Sequence, residues 1–447
     1  MRKVFSGADF MGIPQLFQGN SMKTITIALL FMILSSTTHA VETTFTGYLR
    51  GGSGLNMQGG HMNCFGNAGM PGNFLRLGNE CDFYTELAMV FHHVKPTETD
   101  PVFFKTQFRM VYSSLGTRQW EASANRDTSQ IEAFVKAGGF TEIPGEFWVG
   151  KRFYRDVDLH IFDWYYYADM SGVGAGIEGL PLGEGRFAFA HLIQADDNLN
   201  DTNVGRPVLN ALDLRWTAVP SFADQKLNFW GVYAWAAGSS TDTEEYVPTN
   251  GYSLATRLQG PVWGGNNNFA ILYGKGTMRG FNIYADSTVP ATDESQNRAW
   301  TWRFVEDYTY DVTDRWALML GLAAEIADSG TDTDSKSQMQ AIGVRPIYFV
   351  SDRFQWAFEA GYSRINNESE KTGGGDYVGD RDLGRVTAAA QLSVGKSMWG
   401  RPVMRAFVSH SFWNEANQGA SFIGNRAPAF TDKLSGTNLG YQFEAWF

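Results

Sequence analysis

The chain ends LGYQFEAWF, Leu439 to Phe447. Leu439, Tyr441, Phe443, Ala445 and Phe447 share one phase, and Gly440, Gln442, Glu444 and Trp446 the other. Successive side chains of a strand point to opposite faces, so this alternation predicts a strand with one greasy and one polar face. A terminal strand of this kind, finishing on an aromatic residue in an exported chain, reads as the closing strand of a membrane barrel.

The pattern recurs upstream. Phe354, Trp356, Phe358, Ala360 and Tyr362 oppose Gln355, Ala357, Glu359, Gly361 and Ser363, and Val386, Ala388, Ala390, Leu392 and Val394 oppose Thr387, Ala389, Gln391, Ser393 and Gly395. Trp316, Leu318, Leu320 and Leu322 do the same. Turn-rich stretches such as ADSGTDTDSKS (Ala327 to Ser337) and NNESEKTGGGD (Asn366 to Asp376) separate them. At roughly 22 residues per strand and loop, about 407 residues after a leader allow some 16 to 20 strands, and a barrel that wide leaves an aqueous lumen. A soluble β-sandwich or propeller would also alternate, but no repeat of 20–50 residues is visible, which counts against a propeller.

Composition agrees with an exported, folded chain. Of 447 residues, 43% are hydrophobic and 15% aromatic, which excludes a disordered or collagen-like polymer. The net charge of −11 and the lack of Lys/Arg clusters argue against nucleic acid. Met22 to Ala40, MKTITIALLFMILSSTTHA, has a lysine, an apolar stretch and small residues before Ala40, the layout of a signal peptide cleaved before Val41. The apolar part is shorter than the ~20 residues an anchor would need, and no later run is long enough for a transmembrane helix. Residues 1–21 are expected to be a non-native or mis-annotated extension, 22–40 the signal peptide and 41–447 the barrel. The two cysteines, Cys64 and Cys81, both fall in the exported part, where an oxidising compartment favours a disulfide. Two free thiols or half a metal site is the alternative, although the spacing suits zinc poorly.

If the greasy phase faces lipid, the other phase lines the lumen. In TTFTGYLRG, Tyr48 and Arg50 fall in the lumen phase, and in FYTELAMVF, Phe83 to Phe91, Tyr84 and Glu86 do. A strand expected to begin at Trp399 carries that ring in phase with Arg401 and Arg405, and Trp446 shares its phase with Gln442 and Glu444. Single rings could belong to the interfacial aromatic girdle. Several in a polar phase suit pyranose sugars, whose C–H face stacks on a ring while flanking charges bond the hydroxyl rim. The stretch KRFYRDVDLHIFDWYYYADMSG, Lys151 to Gly172, mixes aromatics with charges of both signs and has glycine at its end. It is expected to be a long loop folded into the pore, with Arg155, Asp158 and Asp163 meeting hydroxyls and Tyr165 as a gate. An external loop packed on its neighbours or on another subunit is the alternative.

Taken together, these stretches resemble the maltoporin family. The resemblance rests on GYLRGGSG (Gly47 to Gly54), RLGNEC (Arg76 to Cys81), YTEL (Tyr84 to Leu87), WEA (Trp120 to Ala122), WVGKRFY (Trp148 to Tyr154), the Asp158-x-His160-x-x-Asp163 run with WYYY after it, GAG (Gly174 to Gly176), SMWGRP (Ser397 to Pro402) and EAWF (Glu444 to Phe447). It implies an 18-stranded antiparallel transmembrane β-barrel in the bacterial outer membrane, a homotrimer among lipid and lipopolysaccharide, passing maltose and maltodextrins by facilitated diffusion. It implies an aromatic slide of Tyr48, Tyr84, Trp120, Trp399 and Trp446, with Trp120 reaching a neighbouring subunit's channel. It further implies an ionic track including Arg50, Arg76, Glu86, Asp158 and Asp163, with Tyr165 at the constriction, and a first-loop disulfide between Cys64 and Cys81. The sixth slide aromatic aligns with Asn266 in PVWGGNNNF, so Trp263 is taken as its substitute. Two family arginines align with Asp156 and near Ile131, with Arg155 and Arg126 the closest basic residues, which predicts a constriction more acidic than the family's and makes a porin for a different oligosaccharide the alternative.

Other classes fit less well. Gly174-x-Gly176-x-x-Gly179 matches a dinucleotide-binding pattern without a surrounding βαβ unit. Asp158, His160 and Asp163 would not converge on a metal along extended chain, and no second cluster completes such a site. A rim hydrolase would need Ser, His and Asp in mutual reach, and none of His92, His93 and His160 pairs with a convincing serine motif. No cofactor, metal or catalytic role is expected. A non-selective porin would have a charged constriction without lumen aromatics.

Overall fold

In a computed structural model the described residues are 41–67, 69–70, 74–114, 126–194, 207–240, 245–283, 291–418, 422–423 and 432–447. The alternating segments form β1 (Glu42–Asn56), β2 (Phe83–Val94), β3 (Phe103–Ser114), β4 (Arg126–Gly138), β5 (Glu146–Arg152), β6 (Gly172–Leu182), β7 (Gly185–Gln194), β8 (Leu209–Pro220) and β9 (Lys226–Ala236). They continue as β10 (Thr249–Val262), β11 (Gly265–Gly276), β12 (Trp300–Thr313), β13 (Trp316–Asp328), β14 (Lys336–Phe349), β15 (Phe354–Asn367), β16 (Arg381–Ser393), β17 (Val403–Trp413) and β18 (Ser435–Trp446). Each strand pairs with the next, and β18 pairs antiparallel with β1 from Tyr48↔Trp446 to Asn56↔Asn438. The 18-stranded sheet therefore closes on itself as a barrel. Tight turns at one end, such as Leu182 to Gly185 and Val262 to Gly265, alternate with longer connections at the other.

The faces are reversed relative to a water-soluble barrel. Tyr441 is 74% exposed and Leu439 and Phe443 stand out beside it, whereas Gln442 and Glu444 are buried. Phe358 and Tyr362 are exposed while Glu359 and Ser363 are not. An apolar exposed wall is what hydrocarbon requires. Rings gather near both ends of that wall: Tyr273 lies 4.8 Å from Trp302 at one level, and Trp316 lies 4.9 Å from Tyr348 at the other.

Two connections pack on the buried face of the sheet. Residues 74–81 are held by Arg385, fully buried, whose guanidinium donates to the carbonyls of Leu75 and, at 2.6 Å, Leu77. The Leu77 amide donates to Glu359 Oε1 at 2.9 Å and the Gly78 amide to Gln442 Oε1 at 2.8 Å. Cys64 and Cys81 are joined in a disulfide at the base of this connection. Residues 153–171 are held from other strands: Arg215 donates to the Tyr154 carbonyl at 2.9 Å, Arg303 to that of Tyr166 at 3.3 Å, and Tyr167 Oη to that of Asn228 at 3.1 Å. Leu159, Ile161 and Phe162 fill notches left by glycines on β13 and β14.

The strand expected to begin at Trp399 begins instead at Val403. Pro402 has no N–H to give a ladder, so Ser397 to Pro402 stay outside the sheet and the strand phase inferred for Trp399 and Arg401 does not apply. Residues 1–40, with the expected extension and signal peptide, lie outside the described residues, as does Trp120.

The glycine notches set a requirement. A Cβ at Gly343 would lie 2.7 Å from Leu75 and 2.8 Å from Phe162, while one at Gly373 meets nothing. Gly343→Val is expected to destabilise the folded barrel by about 1–3 kcal/mol through overpacking and Gly373→Val by far less. Thermal unfolding followed by gel mobility or circular dichroism separates the two.

Candidate functional site

Period-two geometry sets Tyr48 beside Arg50 on β1, Tyr84 beside Glu86 on β2, and Glu444 beside Trp446 on β18. The seam register then places Tyr48 opposite Trp446 and Arg50 opposite Glu444. Around them opens a cavity of ≈ 730 Å³ that also takes Arg109 from β3, Arg76 from the first connection, Trp399 from the β16–β17 turn, and Phe153, Arg155, Asp158, His160, Asp163 and Tyr165 from the second. Of the residues singled out in the sequence, Tyr48, Tyr84, Trp399, Trp446, Arg50, Arg76, Glu86, Arg155, Asp158, Asp163 and Tyr165 all line this one cavity.

Its polar groups form a continuous network. Glu444, 2% exposed, receives Arg401 at 2.6 Å, Arg76 at 3.1 Å and Arg405 at 3.2 Å. Arg76 donates to Tyr48 Oη, which donates to Glu444 Oε1 at 3.1 Å. Arg76 Nε also donates to Glu80 at 2.7 Å. Arg50 pairs with Asp163 and, at 3.2 Å, with Asp82. Tyr84 Oη donates to Glu86 at 2.7 Å, and Arg109 bridges Glu86 at 2.8 Å and Glu132 at 2.6 Å. The rings are held as firmly. Tyr48 and Tyr84 stand 6.1 Å apart; the His160 ring meets Trp399 edge-on at 5.2 Å and Trp446 at 6.4 Å. The Arg155 guanidinium carbon lies 3.9 Å from the centre of the Phe153 ring and 3.6 Å from that of Tyr165. Trp399 remains 43% exposed and Trp446 37%, with the Arg401 guanidinium over the Trp446 ring at 4.4 Å from its centre.

Two carboxyls of the second connection behave oppositely. Burial raises the Asp158 pKa above the ordinary carboxylate range, reinforced by the charge of Asp163 and opposed by that of Arg76. Burial also acts to raise Asp163, but Arg76 and Arg50 outweigh it and hold Asp163 below that range. Burial, with Arg76 beside it, keeps His160 neutral. Asp163 follows a single 3₁₀ turn, His160–Phe162, in the left-handed region at φ 51°, a conformation aspartate tolerates better than most residues.

The structure departs from the sequence reading at three places. Trp263 sits with Gly264 in the β10–β11 turn, both at positive φ as a tight hairpin requires, 90% exposed and apart from the cavity. Asp156 faces Arg257 at 2.8 Å and does not line the cavity. The cavity is also not acidic: four arginines, Arg50, Arg76, Arg109 and Arg155, face four carboxylates, Glu86, Asp158, Asp163 and Glu444. Arg155 stands one position before Asp156, and Arg109 stands across the ladder from Glu132. Sequence reasoning missed Arg109, Phe153 and the hub role of Glu444. Arg109 alternates with Lys105 and Gln107 in FFKTQFRMVYSS, and that polar phase was the available signal. Among the described residues no group of His, Cys, Asp and Glu could hold a metal.

Partly exposed rings beside fixed donors and acceptors can take a ligand that is apolar on one side and hydroxylated at its edge, through several weak contacts instead of one strong one.

A family model described as LamB porin matches residues 43–447. Among solved structures, the chain is similar to the outer membrane protein OpdK of Pseudomonas aeruginosa, at 9% identity over 91% of this chain and 99% of that chain, with a TM-score of 0.46. It is similar to OccAB4 of Acinetobacter baumannii at 11% identity, 91% and 98% coverage and a TM-score of 0.45. It is also similar to Salmonella typhi OmpF in complex with daunomycin, at 14% identity, 91% and 98% coverage and a TM-score of 0.41.

The split between the two aspartates has an electrical signature. As pH falls, Asp158 takes its proton first, because its pKa is raised, and Asp163 keeps its charge to lower pH. Ion selectivity, read as reversal potential in a KCl gradient, is expected to shift toward anions in two steps. Asp158→Asn is expected to abolish the step at higher pH and leave the lower one.

Proposed function

The chain belongs to the LamB porin family of outer-membrane barrel channels, and we propose that its pore passes maltose and maltodextrins by facilitated diffusion along the rings of Tyr48, Tyr84, Trp399 and Trp446. The observation that carries this reading is their meeting in one cavity with Arg50, Arg76, Arg155, Asp158 and Asp163. A pyranose slides its C–H face from ring to ring while its hydroxyls exchange partners among the charged groups. No single contact is strong, so each is released as the next forms. Fixing the rings and charges beforehand spares the sugar the ordering entropy of the side chains it meets.

Residues 153–171 are the element that narrows the pore. Support comes from their anchors on β8, β9 and β12 together with the contacts of Arg50 and Arg76 to Asp163, which tie one connection to widely separated strands. The Phe153–Arg155–Tyr165 stack forms the lip of the constriction: a guanidinium pressed between two rings is held in place and still presents its edge to hydroxyls. In this reading Arg155 and Arg109 supply the positive charge that aligned positions Asp156 and Ile131 do not. The protein works as a trimer. Residues 22–40 act as the leader that directs export.

Ion current through single channels in planar bilayers tests the reading. Malto-oligosaccharides are expected to block the current reversibly, with longer chains held longer. Trp399→Ala removes roughly 60 Å² of apolar contact, about 1.5 kcal/mol at 25 cal/mol/Å², and so weakens the block roughly tenfold. Current indifferent to every malto-oligosaccharide would leave a porin without this selectivity.

A further inference from the structure

One side chain violates the logic of the outer wall. Glu306 lies in the middle of β12, in the exposed phase that otherwise reads Trp302, Phe304, Tyr308 and Tyr310. Its partners across the ladders are Phe269 on β11 and Leu322 on β13. Along the strand it is about 13 Å from Trp302, which packs with Tyr273 at 4.8 Å, and about 7 Å from Tyr308, which pairs with Tyr310 at 6.2 Å. It therefore stands between the two aromatic belts, at the depth of the hydrocarbon. Other charges in this phase, such as Lys275, Asp328 and Lys336, stand at strand ends, and Arg364, near one, is matched by Asp382 at 2.7 Å. The Glu306 carboxylate makes no ion pair or hydrogen bond with another described residue.

Beside it the wall is hollow. Phe269, Phe304, Leu322, Gln340, Ile342 and Tyr362 line a depression of ≈ 480 Å³ together with Glu306. Lipid tails offer nothing to a carboxylate, and an unpaired charge in hydrocarbon is costly. An anion is repelled, and a water-soluble partner does not reach this depth. A second copy of the chain brings no cation to it either, because the outer wall carries its basic residues near the strand ends. What matches both the depression and the charge is a cationic head on an apolar tail. In hydrocarbon the resulting charge-assisted hydrogen bond is strong.

We propose that Glu306 and the depression beside it form a binding site on the outer wall of the barrel for an alkylammonium amphiphile, a protonated primary amine on a single alkyl chain. The tail lies on Phe304, Leu322 and Ile342 and the ammonium donates to the carboxylate. The site is separate from the pore, so its occupancy leaves the permeation path unobstructed.

Native mass spectrometry of the folded full-length chain in polyoxyethylene micelles, titrated with dodecylamine or with dodecanol, tests the proposal. One dodecylammonium per chain is expected to be retained at concentrations where dodecanol is lost. Glu306→Gln is expected to weaken retention about tenfold, the scale of one hydrogen bond to a charged group. Leu322→Trp, which fills the depression and keeps the carboxylate, is expected to do the same, and both variants should keep wild-type conductance. Equal retention of dodecanol by the unaltered chain overturns the proposal without any variant. So does unchanged amine binding by Glu306→Gln, or a Glu306-dependent change of oligomeric state with no amine retained.

Discussion

A backbone N–H or C=O left unpaired in hydrocarbon costs several kcal/mol, so a sheet can cross a membrane only if its first and last strands meet. Here that meeting is the ladder between β1 and β18, running from Tyr48↔Trp446 to Asn56↔Asn438. The rest follows from closure. Once no edge remains, every side chain points either outward to lipid or inward, and most charge at the depth of the hydrocarbon goes inward. Arg385, Arg345, Glu359 and Glu444 are thus among the most buried side chains of a protein whose exposed wall is largely Leu, Val, Phe, Tyr and Trp.

The candidate site is built on that same seam. Tyr48 and Arg50 come from the first strand, Glu444 and Trp446 from the last, and only closure brings them into register. Glu444 gathers Arg76, Arg401 and Arg405 and accepts from Tyr48, so one carboxylate ties two ends of the chain, one turn and one connection together. Buried ion pairs of this kind add little net stability, because desolvation offsets most of the attraction. Their contribution here is geometric: the rings and guanidinium groups of the cavity are held in fixed positions.

The second connection shows how packing divides the labour of one segment. Leu159, Ile161 and Phe162 fill notches at glycines of β13 and β14, which anchors the segment, while Arg155, Asp158, His160 and Asp163 between and beside them turn to the cavity. Asp156 turns the other way, to Arg257. A one-residue difference thus separates a group that lines the cavity from one that braces the segment, and alignment by position alone cannot tell which is which. The same holds across a ladder, where Arg109 stands opposite Glu132 and carries positive charge into the cavity from the neighbouring strand.

Much of the architecture was legible in the chain, because a strand in a membrane wall must alternate with period two and writes that constraint into its residues. The phases of β1, β2, β15, β16 and β18 and the inward placement of Tyr48, Tyr84, Glu86 and Trp446 follow from local pattern, and the disulfide from there being two cysteines in a chain read as exported. Trp399 lines the cavity although the strand assigned to it begins only at Val403, after Pro402. What local pattern could not decide is how distant segments meet. Trp263 looked like a ring for the cavity, but a tight turn carries it to the surface. Arg109, the hub at Glu444 and the opposed fates of Asp156 and Arg155 depend on contacts between residues far apart in sequence. Alternation specifies which face a side chain takes; only the closed barrel and the segments packed against it specify which side chains share a space.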